Sequence, residues 1–258
     1  MCESENSEKD QPPRSPSRRA FVKTSTVAAA VGLFGTGAGM AADAGASTQG
    51  SAVVALTKQA RDQLTADQII QKWKDGNARF ISGQKIQRDF LAEQRATASG
   101  QFPAGVLLSC IDSRAPAEIL FNLGMGDVFN ARIAGNIENP DILGSMEFTT
   151  KLAGAKVILV MGHSACGAVA GAIADAKLGN LTQLLAKIRP AIDATTYTGD
   201  RTANNAAFVD AVARKNVELT MANIRKNSSV IAELEQADAV KIAGAFYDLK
   251  TGAVEFFA

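Results

Sequence analysis

The sequence predicts an α/β fold built around a mostly parallel sheet, and three observations carry that prediction. Two short runs, Gly105-Val106-Leu107-Leu108 and Lys156-Val157-Ile158-Leu159-Val160-Met161, are apolar without alternation, as expected of strands buried on both faces. Segments of helical periodicity stand around and between them. With 258 residues, 47% hydrophobic and 21% charged, and no internal repeat, the chain has enough apolar surface for one globular core.

The elements follow in chain order. Met1 to Pro16 is polar and turn-rich. Ser17-Arg18-Arg19-Ala20-Phe21-Val22-Lys23 and a weakly apolar Ala/Gly-rich run to about Ala41 come next, a pattern that resembles a twin-arginine export signal. Small residues from Ala41 to Ala46 offer a cleavage site, so residues 1–44 read as a removable signal and 45–64 as a linker. Gly32, Gly35, Gly37 and Gly39 dilute the run below what a membrane anchor needs, so no stable membrane association is expected after cleavage. The twin-arginine (Tat) export machinery would be a transient partner and the mature protein periplasmic or otherwise exported. The Gly35-Thr36-Gly37-Ala38-Gly39 stretch mimics a nucleotide-binding loop but follows no strand, and carries no such meaning.

Residues 65–258 read as a single α/β domain. Thr65-Ala66-Asp67-Gln68 is a capping box, and Ile69, Ile70, Trp73, Phe80 and Ile81 then recur at helical spacing. After the strand that starts at Gly105, Pro116 at a first helical position and Gly124 as terminator bracket a helix carrying Ile119, Leu120 and Leu123. A second strand is expected from Val128 to Ile133. Asn139-Pro140 opens a helix with Ile142, Leu143, Met146 and Leu152 on its apolar side and Gly154 closing it. The strand from Lys156 leads directly into His163 and Cys166, and Gly167 to Ala176 reads as a tightly packed helix. Asp193 to Asn205 is expected to be loop, followed by one or two helices from Ala206 to Gln236. Lys241 to Tyr247 and Ala253 to Phe257 read as strands joined by a turn at Lys250-Thr251-Gly252.

Charge and cysteine usage exclude several function classes. Lys+Arg 27 against Asp+Glu 26 gives a net charge of +1, and removal of residues 1–44 leaves it unchanged. Nucleic acid is therefore not an expected partner. Three cysteines and one histidine cannot make a disulfide framework in a chain this long. Two of those cysteines, Cys110 and Cys166, and the sole histidine, His163, instead fall just past the ends of two predicted parallel strands. That is where an open α/β sheet forms its ligand crevice.

Each residue alone has a plainer reading: a lone cysteine after a strand is usually core, and a lone histidine usually hydrogen-bonded. His163-X-X-Cys166 alone is a motif that matches often by chance. Cys110 changes the balance, because Cys110-Ile111-Asp112-Ser113-Arg114 puts thiol, acid and guanidinium at alternate positions, a poor pattern for a core strand. Two thiolates and one imidazole form a known donor set for a zinc ion with an open fourth position.

Ser109-Cys110-Ile111-Asp112-Ser113-Arg114, then Pro116-Ala117-Glu118, Ala134-Gly135-Asn136 and Gly162-His163-Ser164-Ala165-Cys166-Gly167, resemble the motif series of β-class carbonic anhydrases. The resemblance runs from about Ala66, through Asp75-Gly76-Asn77-Ala78-Arg79-Phe80, to Tyr247-Asp248-Leu249-Lys250-Thr251-Gly252. It implies a four-stranded, mostly parallel sheet flanked by helices, with an N-terminal helical arm, an additional C-terminal strand, and assembly as a homodimer or homotetramer. It implies one Zn2+ per subunit on Cys110, His163 and Cys166, with Asp112 and Arg114 as the catalytic pair. In a closed state of the family, Asp112 becomes a fourth ligand and low pH switches the enzyme off.

The implied reaction is reversible hydration of carbon dioxide to bicarbonate and a proton, by a zinc-bound hydroxide formed because zinc lowers the pKa of its water to about 7. Two thiolates acidify that water less than imidazoles would, a deficit Asp112 offsets by orienting it. Ile111 and Ala115 depart from common family residues and bear on the pocket wall. Hydrolysis of carbonyl sulfide or carbon disulfide on the same scaffold is the nearest alternative, and a silent zinc-stabilised binding module is another. The module is disfavoured by the presence of both Asp112 and Arg114; a redox role is weaker, since Cys110 and Cys166 form no Cys-X-X-Cys pair. With the sole histidine in the ligand set, proton export must use buffer, water or carboxylates.

Overall fold

The computed structural model describes residues 55–257. The export signal, read at residues 1–44, and most of the linker lie outside them. Inside the span read as linker, Thr57 caps a short helix, α1 (Lys58–Asp62), by accepting from the Ala60 N–H, and Arg61 is buried against the Ala153 carbonyl. The folded part thus includes residues ahead of Thr65.

The capping box at Thr65 is present as expected and starts α2 (Ala66–Ile81), whose Ile69, Ile70 and Trp73 are buried. Asp89 caps α3 (Phe90–Thr97), a helix the sequence pattern did not reveal. Next come β1 (Gly105–Ser109), α4 (Ala117–Leu120), β2 (Val128–Arg132) and a 3-10 turn at Ala134–Asn136. The chain continues through α5 (Pro140–Glu147), a wider π-helical turn at Phe148–Leu152, and β3 (Val157–His163). After it stand α6 (Gly167–Ile173), α7 (Gly179–Ala186), α8 (Arg189–Ala194), α9 (Ala206–Asn227) and α10 (Ser229–Gln236). The antiparallel pair β4 (Lys241–Tyr247) and β5 (Val254–Phe257) ends the fold.

The five strands form one sheet in the order β2-β1-β3-β4-β5, the first four parallel and β5 antiparallel. This is the expected four-stranded parallel core with an additional C-terminal strand. Every residue of β1 and β3 is buried. On one face Leu107, Leu159 and Met161 pack with Trp73 and Phe121, whose rings stack at 5.9 Å; on the other Val106, Leu108, Ile158 and Val160 pack with Val217, Met221 and Ile224 of α9. Helices on both faces remove any need for alternation along the strands.

Three local expectations are corrected. Pro116 is the N-cap of α4, not its first helical residue, and α4 ends at Leu120 because Asn122 turns at φ 49° and captures the Ile86 N–H and Arg79 Nε with its side-chain oxygen. Gly124 terminates nothing; a Cβ there would meet the Arg88 guanidinium at 2.2 Å. Leu152, expected on the apolar side, is 77% exposed. Thr149 and Thr150 donate their hydroxyls back to the Met146 carbonyl, which widens the helix there and rotates the following residues outward. Gly154 does close the segment, at φ 80°.

Candidate metal centre

In the order β2-β1-β3-β4 the chain leaves β1 toward one edge and β3 toward the other, so the topological switch point lies between these two strands. Both site segments leave from it. Cys110 directly follows β1. The register pairs Ser109 with Met161, so β3 continues two residues beyond that pair and presents His163 as its last residue, opposite Tyr247 of β4. Cys166 is the N-cap of α6.

The three side chains meet: Cys110 Sγ, a His163 ring nitrogen and Cys166 Sγ all lie within 4.8 Å of one another, and all three residues are buried. His163 Nδ1 donates to the Ser164 carbonyl at 2.9 Å, which leaves the lone pair on Nε2. That Nε2 is buried and, among the described residues, has no hydrogen-bond partner. An unmet imidazole lone pair facing two sulfurs is the donor arrangement a zinc ion requires, so the residues fit the metal that the donor set implies.

Electrostatics at the site follow from close contacts. Donation from the Cys166 thiol first, then the adjacent His163 ring and the Gly135 N–H at 3.3 Å, hold the Cys110 thiol far below its usual range, so it carries the thiolate. Cys166 is pushed up, first by giving its proton to that sulfur and then by burial. Burial by itself pulls His163 down, but Cys110, the Ser164 carbonyl and Asp112 together push it up.

Asp112 and Arg114 stand at the rim of this cluster. Arg114 grips the carboxylate with both ends of its guanidinium, Nε to Oδ1 at 2.9 Å and Nη2 to Oδ2 at 2.7 Å, and its backbone N–H adds a third bond at 2.9 Å. This pairing holds the Asp112 carboxyl well below the usual carboxylate range. Asp112 Oδ2 lies 3.9 Å from His163 Nε2, beside the space the three donors enclose. Arg132, from the end of β2, donates to the carbonyls of Cys110 and Asp112 and fixes the turn that carries both. Sequence reasoning missed Arg132, since nothing in a lone arginine at a strand end marks its target. Of the two departures noted in the motif, Ala115 packs in the core with Leu107 and Leu120, and Ile111 is 60% exposed.

The sequence profile of the carbonic anhydrase family matches residues 105–254, which contain every one of these side chains. The chain belongs to the carbonic anhydrase family. A carbonic anhydrase of Mycolicibacterium smegmatis is 34% identical over 188 residues, covering 70% of this chain and 88% of the relative. One from Pseudomonas aeruginosa is 31% identical over 188 residues, covering 70% and 84%. Among solved structures, a tetrameric β-carbonic anhydrase of the ascomycete Sordaria macrospora superposes with a TM-score of 0.55 at 28% identity, covering 62% of this chain and 83% of that one. The fold is that of the β class, whose carbonic anhydrases use zinc.

Proposed function

We propose that this chain catalyses the reversible hydration of carbon dioxide to bicarbonate and a proton, with one zinc ion held by Cys110, His163 and Cys166. The observation that carries the reading is the convergence of two buried sulfurs and an unpartnered His163 Nε2 within 4.8 Å, next to a carboxylate kept ionised by Arg114. Zinc bound there lowers the pKa of water toward neutrality and so supplies a nucleophile for carbon dioxide. Asp112 accepts a hydrogen bond from the reacting water and orients it. Arg114 keeps that carboxylate turned and ionised. Both carboxylate oxygens are engaged by Arg114, which supports an open fourth position rather than ligation by Asp112. The proton leaves to buffer or solvent, because the sole histidine is in the ligand set.

Stopped-flow carbon dioxide hydration with zinc quantified tests the reading. Cys166→Ala is expected to lose zinc and activity together. Asp112→Asn is expected to keep zinc and lose roughly 10²–10⁴ in rate, the usual worth of a positioned acid–base group. A wild type holding stoichiometric zinc without hydration activity overturns it.

The proposal extends to location and assembly. The Ser17-Arg18-Arg19 motif and the dilute apolar run after it support Tat export with cleavage near residue 44, which makes the mature protein periplasmic or otherwise exported. Among the described residues no helix is long and apolar enough to cross a membrane. N-terminal sequencing of protein recovered from hosts with and without the translocase decides this. Assembly into a homodimer or homotetramer is supported by the tetrameric Sordaria enzyme and is read directly from sedimentation mass.

A further inference from the structure

Two turns outside the strand ladders flank the metal centre, and one helix grips both. Between His163 and Cys166 the chain passes through Ala165 at φ 52°, a left-handed conformation disfavoured for a residue with a Cβ. The Ala165 N–H donates to Asp210 Oδ1 of α9 at 2.9 Å. The second turn places Gly135 at φ 70° and Asn136 at φ 43°, and the Gly135 N–H donates to Cys110 Sγ. The Gly135 carbonyl accepts from Asn216 Nδ2, also on α9, at 2.7 Å; Asn216 is 3% exposed. Between these two grips, α9 closes on the end of β3 at Gly162. A Cβ there would come within 2.8 Å of Val217 Cγ2 and 3.3 Å of the Ala213 carbonyl.

We infer that Asp210 and Asn216 are positioning residues of the metal centre: Asp210 holds the left-handed turn that sets His163 against Cys166, and Asn216 holds the turn whose N–H meets the Cys110 sulfur. Neither side chain approaches the ligand atoms as a donor to metal. Each acts through a backbone group one step removed, the arrangement by which outer-shell partners fix ligand geometry. Asp210 supplies what the Ala165 turn lacks, since a residue with a Cβ enters this conformation only when its surroundings hold it there. Asn216 satisfies a carbonyl that would otherwise be buried without a partner. The inference rests on the reading that Cys110, His163 and Cys166 bind a metal.

The test uses the purified chain, loaded in turn with zinc and with cobalt(II). Zinc affinity is read by competition with a chromophoric chelator. Ligand geometry is read from the thiolate-to-cobalt and d–d absorption bands, and melting is followed with and without zinc. Asp210→Ala and Asn216→Ala are expected to bind zinc roughly 10- to 100-fold more weakly, as loss of an outer-shell partner does, and to shift the cobalt bands. Asp210→Asn keeps an acceptor oxygen and is expected to stay near wild type in both. Ala165→Val strains the same turn from an exposed position while leaving the Asp210 side chain in place, and is expected to weaken zinc as well; it carries the test if Asp210→Ala fails to fold. A merely structural role would lower melting equally with and without zinc and leave the cobalt bands in place. That result, or wild-type zinc affinity in Asp210→Ala, Asn216→Ala and Ala165→Val, overturns the inference. A wild type that takes up no metal overturns the metal reading itself.

Discussion

Near the start of β2, Glu93 is buried as deeply as the residues at the far ends of β1 and β3, with Arg88 less deeply buried beside it, but the pair is partnered in a different way. Glu93 Oε1 accepts from Arg88 at 2.8 Å and Oε2 from the Met125 N–H at 2.8 Å. Arg88 also donates to the Asn122 carbonyl and faces Asp127 at 3.6 Å, and Asp127 accepts from the Gly124 N–H. Only Arg88 Nε, a lone donor, goes unmet there. At the other end, among the described residues, Ser109 Oγ, Asn136 Nδ2 and His163 Nε2 go unmet, and it is the His163 nitrogen that converges with two sulfurs. A buried charge that is answered by its neighbours is structural, whereas buried acceptors that converge on a common point are a binding site.

The comparison is broken or sharpened first by exchanging the losses. Cys166→Ala should abolish zinc and hydration while the chain still folds. Glu93→Ala, which strands the Arg88 guanidinium, should cost about 3–5 kcal/mol of stability and leave zinc per folded molecule unchanged. Denaturant melts with metal analysis on both variants measure this. If Glu93→Ala empties the metal site, the two regions are not separable.

A smaller effect is expected at Arg114. The pairing with Arg114 depresses Asp112 below its usual 3.8, so the stability it contributes is present above that value and is lost only as pH falls well below it. Wild type therefore keeps this carboxylate ionised on the acid side of neutrality. In Arg114→Gln the Asp112 pKa should rise toward the ordinary value of 3.8, read from the carboxyl carbon NMR shift of Asp112 during acid titration. An unchanged titration would show that Arg114 does not control that carboxylate. The smallest effect expected is in wild type, where turnover should rise with buffer concentration because no histidine is free to carry the proton. Rates independent of buffer at low concentration would point to an internal proton carrier instead.

Much of the site was legible in the sequence because its chemistry is concentrated. One histidine and two of three cysteines sit beside strand ends, and Cys110-Ile111-Asp112-Ser113-Arg114 has no rationale as a core strand. The parallel strands were legible because burial on both faces removes alternation. The helices α1 and α3 were not, since they are short and capped by single residues, Thr57 and Asp89, amid otherwise polar sequence. The outward turn of Leu152 was not legible either, because it depends on hydroxyls bonding back to the preceding turn.

The sequence by itself determined the donor set and the carboxylate–guanidinium pair, because side-chain chemistry is local and survives any fold. It also determined the α/β class, because burial on two faces writes itself into composition. Only the tertiary structure decided that Cys110 and His163 meet, through the pairing of Ser109 with Met161 across the switch point, and that His163 Nε2 is the free nitrogen. It likewise decided that α9 reaches both ligand turns through Asp210 and Asn216. Register between distant strands and the docking of a helix against them are set by packing over the whole core, and no local pattern of residues encodes them.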